Sequence, residues 1–250
     1  MAAFDNVISA GDAVAALIGQ GIIPAGLEMM DHLAIKAAED FVKVGYPTDA
    51  QALLICELDG TDAEVEDQLA AVSACFSDHG SYQIRVAKDA QEAAALWQGR
   101  KSAFPAVGSI SPDYYCMDGT IPRGQVAHVL TRIRELSQHY GLAVANVFHA
   151  GDGNLHPLIL FDASIEGQLD QAEALGGDIL TLCVDVGGTI TGEHGVGLEK
   201  MPQMPYQFGD AELAQFRRLK AAFDPSDLLN PGKGIPTLKY CQEYRSLQHA

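Results

Sequence analysis

No stretch of this sequence reaches the roughly 18 uninterrupted apolar residues that suggest a membrane-spanning helix, so direct membrane insertion is not expected. Positive charge is scarce as well: 16 Lys and Arg stand against 33 Asp and Glu, a formal net charge of −17. Phosphate backbones are bound through Lys and Arg, so nucleic acid and an anionic membrane face are poor partners for this chain. The acidic excess serves solubility. The opening residues, MAAFDNVISAGDAV, hold acids and no basic stretch, unlike a signal peptide. Cysteine is sparse and unpaired in pattern. Cys56, Cys75, Cys116, Cys183 and Cys241 are odd in number and form no CxxC, which reads as reduced, mostly buried thiols in a cytoplasmic protein. A GxGxxG after a strand, a P-loop and a GxSxG are all missing, so nucleotide binding by those loops and a serine-hydrolase elbow are unsupported. No internal repeat or low-complexity segment is visible.

What remains is a chain of 250 residues with ordinary hydrophobic content, 48%. That is enough for one large domain or two small ones. Residues 7–19 and 28–44 read as helices separated by Ile23-Pro24-Ala25-Gly26. Ala52–Leu58 reads as a strand ending at Asp59-Gly60. Thr61 can cap a helix over about 62–78, with Val65, Leu69, Val72 and Phe76 at helical spacing. A strand over Tyr82–Val86, a helix over 89–103 and a strand over Tyr114–Asp118 follow. Pro122 opens a helix to His139. Ala143–His149 and His156–Phe161 are the clearest strands, then a helix runs to Val186, where Gly187-Gly188 stops it. A short helix near 211–223 precedes two turn clusters, Asp224-Pro225-Ser226-Asp227 and Asn230-Pro231-Gly232-Lys233. The pattern suggests an α+β sandwich with helices on one face of a mainly antiparallel sheet. The βαβ spacing alone equally fits a parallel sheet.

Three segments carry chemistry. In His149-Ala-Gly-Asp-Gly-Asn-Leu-His156, a two-residue turn at Asp152-Gly153 places His149 directly opposite His156 on one face of a hairpin. A turn centred on Gly153-Asn154 makes the pair diagonal and still within reach. Two such imidazoles can share a divalent ion, or can simply hydrogen-bond to the backbone. In Thr191-Gly-Glu193-His194-Gly-Val-Gly197, glycines flank a carboxylate beside an imidazole. Glu193 offers a third ligand, or the pair offers a general base near neutrality. In Trp97-Gln-Gly-Arg100-Lys101, Arg100 presents a fork that matches a carboxylate, or a surface charge at a helix end.

These motifs, with SPDYYCMDGTIPR, NVFHAGDGNLHPLILFD, GEHGVGLEK and DPSDLLNPGKGIP, resemble the C-terminal domain of FAD-linked oxidases, a family that includes glycolate oxidases and D-lactate dehydrogenases. The resemblance covers nearly the whole chain. It implies a ferredoxin-like cap domain with an antiparallel sheet covered by helices, plus a helical C-terminal segment. On that scheme residues 1–45 form a helical lead-in from an FAD-binding domain that is not in this chain. Residues 46–205 form the cap, and 206–250 return toward the FAD domain. The resemblance implies that His149, His156 and Glu193 hold a divalent metal, zinc or manganese. It makes His194 the catalytic base and Arg100 the grip on the substrate carboxylate, and it sends Asn230 toward the flavin. It further implies oxidation of glycolate to glyoxylate or D-lactate to pyruvate, with the C2 hydride passing to flavin N5. The partners would be a flavin-domain chain and other glycolate oxidase subunits, including an iron–sulfur electron acceptor. Such an assembly would be cytoplasmic, or peripheral to the inner membrane through its partners. Ser109 stands where the family pattern has arginine, a loss that would weaken contact with substrate or flavin. Two other readings stay open on the residues alone: a non-catalytic module for metal and hydroxyacid, and a metal-dependent hydrolase.

Overall fold

The computed structural model describes residues 1–236, so part of the expected C-terminal segment 206–250 lies outside the described residues. The first half holds β1 (Ala2–Phe4), α1 (Val7–Gly19), β2 (Gly26–Asp31), α2 (His32–Val42), β3 (Ala52–Glu57), α3 (Asp62–Asp78) and β4 (Ser81–Ile84). Helix α4 (Ala90–Val107) leads to β5 (Asp113–Cys116), α5 (Val126–Tyr140), β6 (Val144–His149), β7 (Pro157–Phe161) and α6 (Gln168–Asp185). A glycine-rich loop then reaches α7 (Met204–Gln207) and α8 (Asp210–Phe223). The strands form one seven-stranded sheet, ordered β4-β1-β3-β2-β6-β7-β5, and every pairing is antiparallel. The parallel alternative is thereby excluded.

Local chemistry explains most element starts. Asn6, Asp31, Thr61 and Asp89 each accept a backbone N–H from three residues on and so satisfy an open helix end. At α3 the reciprocal bonds of Thr61 and Glu64 close a capping box. The expected helix over 28–44 is corrected at its first turn: Gly26–Asp31 is a strand, and Asp31 caps the helix that begins at His32. Four of those six strand residues are buried, because central strands are covered on both faces. A short buried run shows no period by which to tell helix from strand. The helical lead-in over 1–45 is corrected for the same reason, since it contributes both β1 and β2 to the sheet. Helix α4 also runs past 103 to Val107, tolerating Pro105 near its end.

Strand order exposes a repeat that composition does not show. β1-α1-β2 followed by β3-α3-β4 has the ferredoxin-like order 4-1-3-2, with α2 inserted. β5-α5-β6-β7-α6 repeats the first five of those elements. The two units meet where β2 pairs with β6, with Glu28 opposite His149, Met29 opposite Phe148 and Met30 opposite Val147. The repeat lies in topology and not in residue identity, so a sequence scan misses it. Helices also cover both faces rather than one. Phe4, Met29, Leu54, Phe148 and Ile159 pack under α1, α3, α5 and α6. Ala3, Met30, Leu53, Val147 and Leu158 face α2 and α4. Alternation along each strand divides the two cores.

The β6–β7 hairpin differs from the two-residue turn expected at Asp152-Gly153. Its register pairs Ala145 with Leu158 and Asn146 with Pro157, and His149 bridges to Asn154. The turn therefore holds Ala150–Gly153, and His156 sits diagonal to His149 on the same face. Tertiary bonds hold this longer turn: Gly151 N–H donates to Leu27 O at 3.0 Å, and Ile121 N–H donates to Gly153 O at 2.9 Å. Gly153 has φ +75°, and a Cβ there would lie 2.2 Å from Ile121 O, so only glycine fits.

Candidate metal and substrate site

The site lies at the seam of the two units, on the sheet face that α4 covers. His149 ends β6 and His156 immediately precedes β7. Their rings lie 5.1 Å apart, nearly perpendicular. The loop after α6 delivers Glu193, whose Oε1 lies 3.1 Å from His156 Nε2 and 3.6 Å from His149 Nε2. Ligand atoms of all three residues fall within 4.8 Å of one another. His194 stacks on His156 at 5.0 Å and is exposed.

Three residues that the sequence did not single out build this arrangement. Asp118, fully buried just past β5, anchors the loop. Its carboxylate accepts from the backbone N–H of Gly192, Glu193 and His194 at 3.2, 3.1 and 2.9 Å, and from Thr191 Oγ1 at 2.8 Å. Buried Lys200 donates to it at 2.7 Å. Gly192 is required here, because a Cβ would lie 2.4 Å from Asn154 Oδ1. Glu28, buried on β2, accepts from His149 Nδ1 at 2.7 Å and from Arg100 Nε at 3.0 Å. Arg100 is thus on the site's face, buried and paired with Glu28, not a free surface charge. Ser109 donates to Ala106 O at the end of α4. Asn230 is exposed with φ +49°, and its turn is tied to the loop where Gly234 N–H donates to Gly197 O at 2.8 Å. His194, Cys116, Lys200 and Lys233 line one depression beside it.

The electrostatics separate the two histidines. Hydrogen bonding to Glu28 raises the pKa of His149. Burial, and then the neighbouring His149 and His194, push His156 down to about 4. Burial opposes the charge on Asp118. Even so Lys200, Thr191 and the loop N–H groups outweigh that penalty and hold the carboxyl well below its ordinary value. Neither ring nitrogen of buried His156 has a partner in hydrogen-bond geometry, although Glu193 Oε1 lies 3.1 Å from Nε2. Buried polar atoms ordinarily have such a partner, and a neutral imidazole whose single ring-nitrogen lone pair is left open fits a metal ligand. Two imidazoles and a carboxylate suit zinc or manganese. Asp118, His156 and His194 form a second cluster of ligand atoms, but Asp118 is already committed to Lys200 and the loop.

A pH effect follows from His156 in chelator-treated protein. An ordinary histidine titrates near about 6.5. Between there and about 4, the unfolded chain binds a proton that the folded chain refuses, so stability falls as pH drops through that window. Urea midpoints of wild type and His156→Leu should lie closest together near pH 7 and separate toward pH 4, as wild type loses stability that the leucine variant keeps. Midpoints that keep a constant separation across the window would contradict the assignment.

Fold and site together define a doubled ferredoxin-like domain that carries a clustered pair of histidines and a carboxylate at the seam of its two units. Residues 1–234 match the family of FAD linked oxidases, C-terminal domain, and the chain belongs to that family. It is 58% identical over 247 residues to glycolate oxidase subunit GlcD of Escherichia coli K12, covering 99% of this chain and 50% of that protein. It is 35% identical to GlcD of Bacillus subtilis strain 168, covering 93% and 50%. It is 32% identical to the mitochondrial D-lactate dehydrogenase [cytochrome] of Arabidopsis thaliana, covering 93% and 41%. The chain thus spans about half the length of these relatives or less. Among solved structures it resembles p-cresol methylhydroxylase with substrate bound, with a TM-score of 0.69 and 15% identity, covering 95% of this chain and 52% of that one. That likeness concerns the fold alone. No helix among the described residues is long and apolar enough to cross a membrane.

Proposed function

We propose that this chain is the substrate- and metal-handling half of a flavin-dependent 2-hydroxyacid dehydrogenase acting on glycolate or D-lactate. The observation that carries the reading is the convergence of His149, His156 and Glu193 beside His194, with Arg100 joined to His149 through Glu28. It gains support from relatives named glycolate oxidase subunit and D-lactate dehydrogenase. When bound, FAD supplies the hydride acceptor and a divalent ion polarises the substrate hydroxyl. His149, His156 and Glu193 would hold that ion. Arg100 pairs with the substrate carboxylate and fixes the orientation of C2. His194, exposed and next in sequence to Glu193, accepts the 2-hydroxyl proton. Asn230 faces the flavin-bearing part. Leu219, Phe223, Leu228 and Leu229, between 61% and 82% exposed, form an apolar surface suited to docking that part. The partners would be a flavin-domain chain and an iron–sulfur electron-accepting subunit of a cytoplasmic, or peripherally membrane-bound, glycolate oxidase.

The chain purified alone should show no flavin absorbance and no glycolate-dependent reduction of a dye. Co-expressed with the first half of a full-length relative, it should yield a yellow complex that reduces the dye with glycolate or D-lactate. Stoichiometric flavin on the chain alone would overturn this division of labour. A flavin-free complex that still binds zinc and glycolate would mark a non-catalytic binding module instead.

A further inference from the structure

We infer that Glu28 is a positioning residue that sets the ion site and the acid-binding site together, through one carboxylate. The inference rests on the reading of His149, His156 and Glu193 as ligands and adds a residue to it. Strand register places Glu28 opposite His149 across the seam between the two ferredoxin-like units. Its Oε1 meets His149 Nδ1 at 2.7 Å. Its Oε2 meets Arg100 Nε at 3.0 Å and Nη2 at 2.9 Å. The Glu28 and Arg100 side chains are only 9% and 8% exposed, so water does not substitute for either contact.

The chemistry follows from donor and acceptor counts. An ionised carboxylate only accepts, so His149 must carry its proton on Nδ1 to bond Glu28. That tautomer leaves the Nε2 lone pair on the side of Glu193 and His156. Carboxylate partners of this kind orient a ligating imidazole and raise its basicity. On Arg100, Glu28 takes the Nε side of the fork, which leaves the Nη1 edge for a second carboxylate. A carboxamide cannot do both jobs. If its single oxygen serves Arg100, its amide N–H faces His149 and pushes the ring proton onto Nε2. If the oxygen serves His149, two donors face each other at Arg100.

The test titrates Zn²⁺ and Mn²⁺ separately into the full 250-residue chain, and reads the His149 tautomer by ¹⁵N NMR. Glu28→Gln should weaken ion affinity by about 10- to 100-fold, as for other outer partners of metal ligands. It should also move the His149 proton from Nδ1 toward Nε2. A second variant guards against simple misfolding. Glu28→Met with Arg100→Met removes the buried pair as a unit, which proteins often tolerate, and it should lose ion affinity to a similar degree while melting cooperatively. A merely structural Glu28 would change the melting temperature and leave the tautomer alone. Ion affinity within twofold of wild type with an unchanged tautomer would overturn the inference and leave the ligand assignment standing. A wild-type chain that takes up neither ion would overturn both.

Discussion

Replacing His156 with leucine should abolish zinc and manganese binding while leaving the metal-free chain at least as stable as wild type at neutral pH. The usual expectation for a buried polar residue is the reverse. His156 is 3% exposed, yet neither ring nitrogen has a hydrogen-bond partner. Its surroundings are the edge of Phe104 at 6.1 Å, the rings of His149 and His194, and the carboxylates of Glu193 and Asp118, whose oxygens lie 3.1 and 3.9 Å from Nε2 without hydrogen-bond geometry. A buried polar group without a partner costs about 1–3 kcal/mol, and an apolar group of similar shape removes that cost. Leucine is close enough in volume to avoid a large cavity. The ion, by contrast, loses the most enclosed of its three donors. Affinity should fall by more than the roughly 100-fold upper range of outer-shell changes. Calorimetric titration and urea unfolding of the same preparation decide it. Loss of stability by several kcal/mol, or ion affinity within tenfold of wild type, would show that the structure holds His156 for packing rather than for ligation.

The sequence made some of this legible and hid the rest for identifiable reasons. His149 and His156 stand out because a Gly-rich turn between two apolar runs forces a hairpin, and a hairpin brings its flanks together whatever its register. The register itself is not legible from the turn residues. Asp152-Gly153 has the local chemistry of a two-residue turn, but bonds from Gly151 to Leu27 and from Ile121 to Gly153 favour a longer one. Thr61 and Asp59-Gly60 placed α3 because capping is local. Glu28 was invisible, since its partners lie 121 and 72 residues away and its strand reads as helix. Asp118 and Lys200 were equally hidden. A buried ion pair carries no sequence signal distinct from two surface charges. The doubled unit escaped as well, because strand order is a property of pairing and not of composition.

The buried pair of Asp118 and Lys200 supports the largest stability effect expected in the chain. Asp118→Ala should cost about 3–5 kcal/mol, the range for breaking a buried ion pair by removing one partner. The ammonium of Lys200, 2% exposed, would keep only the Thr191 hydroxyl at 3.1 Å. Three backbone N–H groups, those of Gly192, Glu193 and His194, would lose a carboxylate acceptor. The same change should weaken ion binding, because the loop that delivers Glu193 is fastened by those bonds. A second variant separates the two consequences. Asp118→Leu with Lys200→Met removes the stranded charge, so it should recover much of the stability. It leaves the loop unfastened, so ion affinity should stay low. The pH dependence has a fixed sign. The folded carboxyl titrates below the ordinary value of about 3.9, so its contribution is full above that value. The contribution is lost as pH falls through the lower folded pKa. Wild type should therefore lose more stability than Asp118→Ala on acidification below about pH 4. Urea unfolding at pH 7 and in that acid range measures both effects. An Asp118→Ala chain within about 1 kcal/mol of wild type at pH 7 would mean that water reaches Lys200 and that the loop is held by other contacts.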